Sequence, residues 1–261
     1  MTLVVRVAAV TAALSLAVAG CGVPNESSAP PSTGDTRSGK LVVFAAASLK
    51  KSFTEIGEQF KTDNPGSDVE FNFAGSSDLV TQLMQGAPGD VFASADTVNM
   101  DKAAQADLLA ADPVKFASNT LTIVTAQGNP KKVASLKDLS QPDLSVVVCA
   151  PQVPCGSAVD KAEKATGVQL DPVSEESQVT DVLNKVTSGE ADAGLVYVTD
   201  ALGAGDKVTS VRFPESAEAV NTYPIAVLKQ AGDRDLAGMF VDLVTGEAGQ
   251  RVLDAAGFAK P

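Results

Sequence analysis

The chain has 261 residues, 44% of them apolar, with 20 basic and 32 acidic side chains and a pI near 4.4. That length fits one large domain or two small lobes around a real core, and a net charge of −12 argues against nucleic acids and anionic membrane surfaces as partners. Histidine and tryptophan are absent. Without histidine there is no Ser-His-Asp or Cys-His nucleophile and no usual zinc or haem ligation.

Residues 1–20 read as a targeting segment. Arg6 is their only charged residue, and the apolar stretch Val7–Ala19 is too short for a permanent span. It ends VAGC at Val18–Cys21, which resembles a bacterial lipobox with Cys21 as the lipidated new N-terminus. The alternatives are an ordinary signal peptide with a chance cysteine, or an uncleaved anchor. Loss of Arg6 with the leader leaves 19 basic against 32 acidic residues, a net −13. Residues 21–39, rich in Pro, Ser, Gly and Thr, cannot bury enough surface to order themselves and read as a flexible tether. The expected whole is an extracytoplasmic body, monomeric, held to the membrane through a lipid on Cys21.

The body alternates strand and helix patterns. Leu41–Ala45 is a continuous apolar run, as in a buried parallel strand. Leu49, Phe53, Ile56 and Phe60 then fall on one helix face, stopped by Asn64-Pro65-Gly66. Asp68–Phe73 alternates as a strand, and Ser76 or Ser77 can cap a helix carrying Leu79, Val80, Leu83 and Met84. A short strand over Val91–Ala93 and a helix over Thr97–Leu109 follow. Leu121–Thr125, Ser145–Cys149 and Gly194–Val198 read as further strands, with helices near Ser157–Thr166 and Gln178–Thr187 between them. Thr222–Leu228 is a late strand, and Leu236–Val244 with Ala248–Ala255 are closing helices. Repeated βα units imply an α/β fold of parallel sheets with helices on both faces, and ligands in such folds sit beyond the carboxyl ends of the strands.

With Cys21 assigned to lipid, Cys149 and Cys155 remain as a pair six apart in CAPQVPC. Outside the cytoplasm a disulfide is expected, two buried free thiols being the alternative. Its main use would be local, fixing one loop.

The residues just after strands are Ser48, Gly75-Ser76-Ser77 and Cys155-Gly156-Ser157, with Tyr197 near the end of its strand. Each serine alone reads as a plain N-cap. Together they offer hydroxyls and helix-start amides, with no acidic cap to repel a negatively charged guest. A donor-only pocket accepts a fully ionised oxyanion at every oxygen but strands the O–H of a protonated phosphate, at a cost of roughly 1–3 kcal/mol. It should prefer molybdate, tungstate or sulfate to phosphate. The rival is a secreted Ser-Lys hydrolase, from Ser48 and Lys51 in SLKK, but the Ser-Asp-Asn and Lys-Thr-Gly companions are missing. No Gly-rich nucleotide loop or metal-ligand cluster appears, and no cofactor is expected.

VFAAASL at Val43–Leu49, FAGSSDL at Phe73–Leu79, GAPGDVFASAD at Gly86–Asp96, GLVYVTDA at Gly194–Ala201 and TYPIAVL at Thr222–Leu228 resemble, in this order and spacing, the periplasmic molybdate-binding proteins of ATP-binding-cassette importers. The resemblance runs from Lys40 to Lys260. It implies a two-lobed periplasmic-binding-protein fold of type II, with a mixed, mainly parallel sheet in each lobe, two crossover strands and the oxyanion in the interlobe cleft. It further implies no enzymatic activity, delivery of molybdate or tungstate to a membrane permease, and five neutral donors. These are hydroxyl and amide of Ser48 and of Ser76, the amides of Cys155 and Val179, and the hydroxyl of Tyr197. A sulfate or tungstate-specific receptor is the nearest alternative. On this reading lobe one comprises residues 40–120 plus 222–261, and lobe two residues 121–221. Gly75 stands where many relatives have serine, which is expected to loosen its loop or change a neighbouring contact. The cysteine pair, which is not general in the family, places Cys155 inside the expected disulfide.

Overall fold

The computed structural model describes residues 39–261, and Cys21, the leader and most of the tether lie outside them. In chain order the elements are β1 (Lys40–Ala46), α1 (Lys50–Asp63), β2 (Asp68–Ala74), α2 (Ser76–Met84), β3 (Val91–Ala93), α3 (Thr97–Gln105), β4 (Val114–Asn119), β5 (Leu121–Ala126), β6 (Val146–Cys149), α4 (Pro154–Thr166), β7 (Ser174–Glu176), α5 (Val179–Thr187), β8 (Ala193–Tyr197), α6 (Val198–Ala204), β9 (Val208–Val211), β10 (Asn221–Val227), α7 (Arg234–Thr245) and α8 (Glu247–Ala255).

The strands form two five-stranded sheets, ordered β2-β1-β3-β10-β4 and β7-β6-β8-β5-β9. In the first, β1 runs parallel to β2 and β3, while β10 lies antiparallel to β3 and β4. In the second, β6 runs parallel to β7 and β8, while β5 lies antiparallel to β8 and β9. Each sheet is therefore three parallel strands extended by an antiparallel pair, not the wholly parallel sheet that the βα alternation alone suggests. Only Thr120 separates β4 in the first sheet from β5 in the second, and the chain returns at Asn221, directly opposite Asn119.

β4, β7 and β9 have no counterpart in the sequence reading, and all three are edge strands. Ser-Glu-Glu of β7 and the exposed start of β4 lack the apolar signal that a doubly covered strand shows. β1 shows the opposite case. Leu41, Val43 and Ala45 face a cluster with Phe53, Phe60, Phe116 and Phe240, whereas Phe44 faces a second cluster with Leu79, Phe92 and Met100. Covering both faces is why its run is unbroken. The other sheet has its own core around Ile123, Val147, Leu195 and Val182. A fully buried side chain such as Phe53 contributes about 1.5–3 kcal/mol relative to an exposed one.

Candidate ligand-binding site

Ser48 lies in a one-turn 3-10 helix (Ala47–Leu49) between β1 and α1. Ser76 is the first residue of α2, Cys155 the second of α4, Val179 the first of α5, and Tyr197 the last of β8. All five line one small cavity. Ala46, Ala47, Ala74 and Ala95 supply much of the remaining wall, and no charged side chain lines it. Small residues here let backbone N–H groups approach the space. A larger cavity of about 680 Å³ shares Ala47 and Ser48 and carries Lys50, Lys51 and Asp200 in its walls, but contains only one of the five.

The serines are not the caps that local sequence suggests. The N-cap of α2 is Gly75, that of α4 is Val153 and that of α5 is Gln178, and none makes a side-chain capping bond. α3, whose cap Asp96 follows the cavity-lining Ala95, and α7 are by contrast capped by carboxylates, those of Asp96 and Asp233. The Asp78 and Asp181 amides reach back to the Gly75 and Gln178 carbonyls, but the Ser76, Cys155 and Val179 amides have no intrahelical acceptor. Left without a capping side chain, they bring partial positive charge to the cavity.

The hydroxyls are held by groups distant in sequence. Ser76 Oγ accepts the Ala95 amide at 3.0 Å, which leaves its own proton to donate. Ser48 Oγ is 3.1 Å from the Tyr223 hydroxyl, and Asn119 Nδ2 donates to Thr199 Oγ1 at 2.7 Å. Tyr197 Oη accepts from Asn221 Nδ2 at 2.7 Å. Burial, then the neighbouring Tyr223, Asp96 and Asp200, push the Tyr197 hydroxyl far above its ordinary pKa, so it stays a neutral donor. Burial likewise raises the Tyr223 hydroxyl.

Two carboxyls stand behind this layer. Asp200 Oδ2 accepts the Tyr197 amide at 3.1 Å, and desolvation pushes its pKa up to about 7. Asp96, also raised by burial, is bonded by the Asn99 amide and side chain. Cys149 and Cys155 form a disulfide with 5.6 Å between their Cα atoms, tying the end of β6 to the first turn of α4. A β-carbon on Gly75 would lie 2.1 Å from the Ser177 carbonyl oxygen, so the glycine permits close backbone approach.

Asn119, Asn221 and Tyr223 were not singled out in the sequence. Their only local signal is position, beside the junctions where the chain passes between the sheets. Lys51 is exposed, and the hydroxyl it would have to activate faces Tyr223 instead. Among the described residues no group of three or more His, Cys, Asp or Glu could hold a metal ion, and no helix is long and apolar enough to cross a membrane.

Residues 41–259 match the family model described as bacterial extracellular solute-binding protein. The Molybdate-binding protein ModA of Mycobacterium tuberculosis is 59% identical over 97% of this chain and 96% of that protein. A solved structure, the substrate binding domain of a putative molybdenum ABC transporter from Clostridium difficile, has 29% identity and a TM-score of 0.64, covering 85% of this chain and 99% of that one. The Azotobacter vinelandii periplasmic molybdate-binding protein has 21% identity and a TM-score of 0.75 over 85% of this chain and 99% of that one, a likeness of fold.

Proposed function

The chain belongs to the bacterial extracellular solute-binding proteins, and we propose that it is the receptor of an ATP-binding-cassette importer that captures molybdate, and tungstate with it, through neutral hydrogen-bond donors. The observation that carries this reading is the convergence of three helix starts without side-chain caps, the Ser48 turn and Tyr197 on one cavity without a charged wall. The donors are Ser48, Ser76, Cys155, Val179 and Tyr197. Molybdate is cargo here, not a cofactor, and the reaction chemistry of an enzyme has no part in it.

The net charge of the chain does not oppose this. Oriented donors a hydrogen bond away act directly on the anion, whereas surface carboxylates beyond ~8–10 Å are screened by salt. The ion exchanges its hydration for charge-assisted hydrogen bonds, each stronger than a neutral one. The lobes, taken as residues 40–120 plus 222–261 and residues 121–221, would close around it by bending at the two passages near Thr120 and Asn221. The closed form is what a membrane permease would engage. A lipid on Cys21 would keep the monomeric receptor at the extracytoplasmic membrane surface, in line with a Bacillus subtilis relative, 29% identical, described as a putative ABC transporter substrate-binding lipoprotein.

Isothermal titration with molybdate, tungstate, sulfate and phosphate tests the reading. Molybdate and tungstate should bind tightly and raise the thermal midpoint as ln(1 + [L]/Kd). Tighter binding of sulfate than of molybdate would reassign the cargo, and indifference to all four would remove the site.

A further inference from the structure

Asn221 sits at the start of β10, where the chain re-enters the first sheet, and it is 1% exposed. Its side-chain nitrogen donates both to the Pro154 carbonyl at 3.0 Å and to the Tyr197 hydroxyl at 2.7 Å. Its side-chain oxygen is buried without a partner. An unpartnered buried acceptor costs roughly 1–3 kcal/mol, so turning the amide over would be expected if the other orientation were open. It is closed. A carbonyl oxygen only accepts, and rotating the amide would set the Asn221 oxygen against the Pro154 oxygen. Pro154, the first residue of α4, therefore fixes which end of the amide meets Tyr197.

The consequence passes to the proton of Tyr197. With its oxygen accepting from Asn221, the hydroxyl has to send its own hydrogen elsewhere; Tyr223, whose ring centroid is 6.0 Å away, and the cavity that Tyr197 lines are the neighbours left to it. A charged oxygen in the cavity outcompetes a neutral hydroxyl for it. Given the reading of the site above, on which this step rests, we propose that Asn221 is a positioning residue that determines specificity. By holding Tyr197 as a donor, it makes the cavity take unprotonated tetrahedral oxyanions and reject those carrying an O–H. Without it, Tyr197 could turn its lone pair toward the ligand and satisfy a phosphate proton. The unpaired Asn221 oxygen is what the molecule tolerates for this one-way orientation.

The test compares molybdate with hydrogen phosphate at mildly alkaline pH, where both carry two negative charges. Asn221→Asp keeps the side-chain shape but offers Tyr197 only acceptors. The added charge weakens both ligands alike, so the ratio of their affinities reports the proton orientation alone. In the full-length protein the molybdate-to-phosphate ratio should fall at least about tenfold, equivalent to 1.4 kcal/mol of discrimination. Made on a Tyr197→Phe background, the same substitution should move the ratio less than about twofold, since the group it orients is gone. Asn221→Ala, which frees the hydroxyl to rotate, should shift the ratio in the same direction by a smaller factor. An unchanged ratio in Asn221→Asp, or an equal shift with and without the Tyr197 hydroxyl, overturns the proposal. Failure of the unmodified protein to bind molybdate would instead strike the function itself, and is seen before any variant is made.

Discussion

A β-carbon placed on Gly75 would lie 2.1 Å from the carbonyl oxygen of Ser177. Gly75 caps α2, packed against the first sheet, and Ser177 lies two residues before α5, packed against the second. Two helix starts thus meet backbone to backbone at the cavity, with no room for a methyl group between them.

Gly75→Ala should hold these two helix starts apart. The expected result is at least a tenfold loss of molybdate affinity by calorimetry, with the thermal midpoint of the ligand-free protein moved by only a few degrees. Small-angle scattering should show less contraction on adding molybdate than in the unmodified protein. Full affinity in the variant would mean that the approach is incidental.

Ser48→Ala and Tyr197→Phe each remove one hydroxyl donor while keeping the neighbouring backbone. A hydrogen bond to a charged group contributes roughly 1.5–3 kcal/mol, so each variant should bind molybdate at least tenfold more weakly. Unchanged calorimetric affinity in both would place the ligand elsewhere.

The Cys149–Cys155 bridge fixes the loop that presents the Cys155 amide. Closing so short a loop is worth about 2 kcal/mol of stability on the chain-entropy account. Reduction should lower the thermal midpoint modestly and weaken molybdate binding severalfold, because the amide then has to be ordered at the moment of binding. Two free thiols in the mass spectrum of the unreduced protein would end this idea.

Asp200 gives stability a pH dependence of definite sign. Its folded pKa, pushed up to about 7 by desolvation, exceeds an ordinary aspartate value of about 3.9. Between these values the unfolded chain ionises while the folded one resists, so stability falls as pH rises and levels off above about 7. Asp96 acts in the same direction, and the Tyr197 and Tyr223 hydroxyls facing this region remain neutral throughout. Thermal midpoints measured from about pH 5 to 8 should decline, and Asp200→Asn, which retains an acceptor for the Tyr197 amide, should flatten the decline without abolishing it. A midpoint that rises with pH across this window would contradict the assignment.

What local sequence determined was the alternation of elements and the chemistry stationed at their ends. The run Leu41–Ala45 and the spacing of Leu49, Phe53, Ile56 and Phe60 state a buried strand and an amphipathic helix, because side-chain periodicity is a property of a few consecutive residues. The same short range revealed Ser48, Ser76 and Tyr197 as polar groups at strand ends. It misread the serines as caps, and it had no access to the edge strands β4, β7 and β9, whose pairing depends on a neighbouring strand more than on their own composition. Only the tertiary structure decided which helix starts share a cavity, that Gly75 faces Ser177, and that Ser48 meets Tyr223 across 175 residues while Tyr197 meets Asn221 across 24. The direction of a hydroxyl proton is set by whichever donor or acceptor lies within about 3 Å, and that neighbour is chosen by how two sheets pack, not by the residues on either side in the chain.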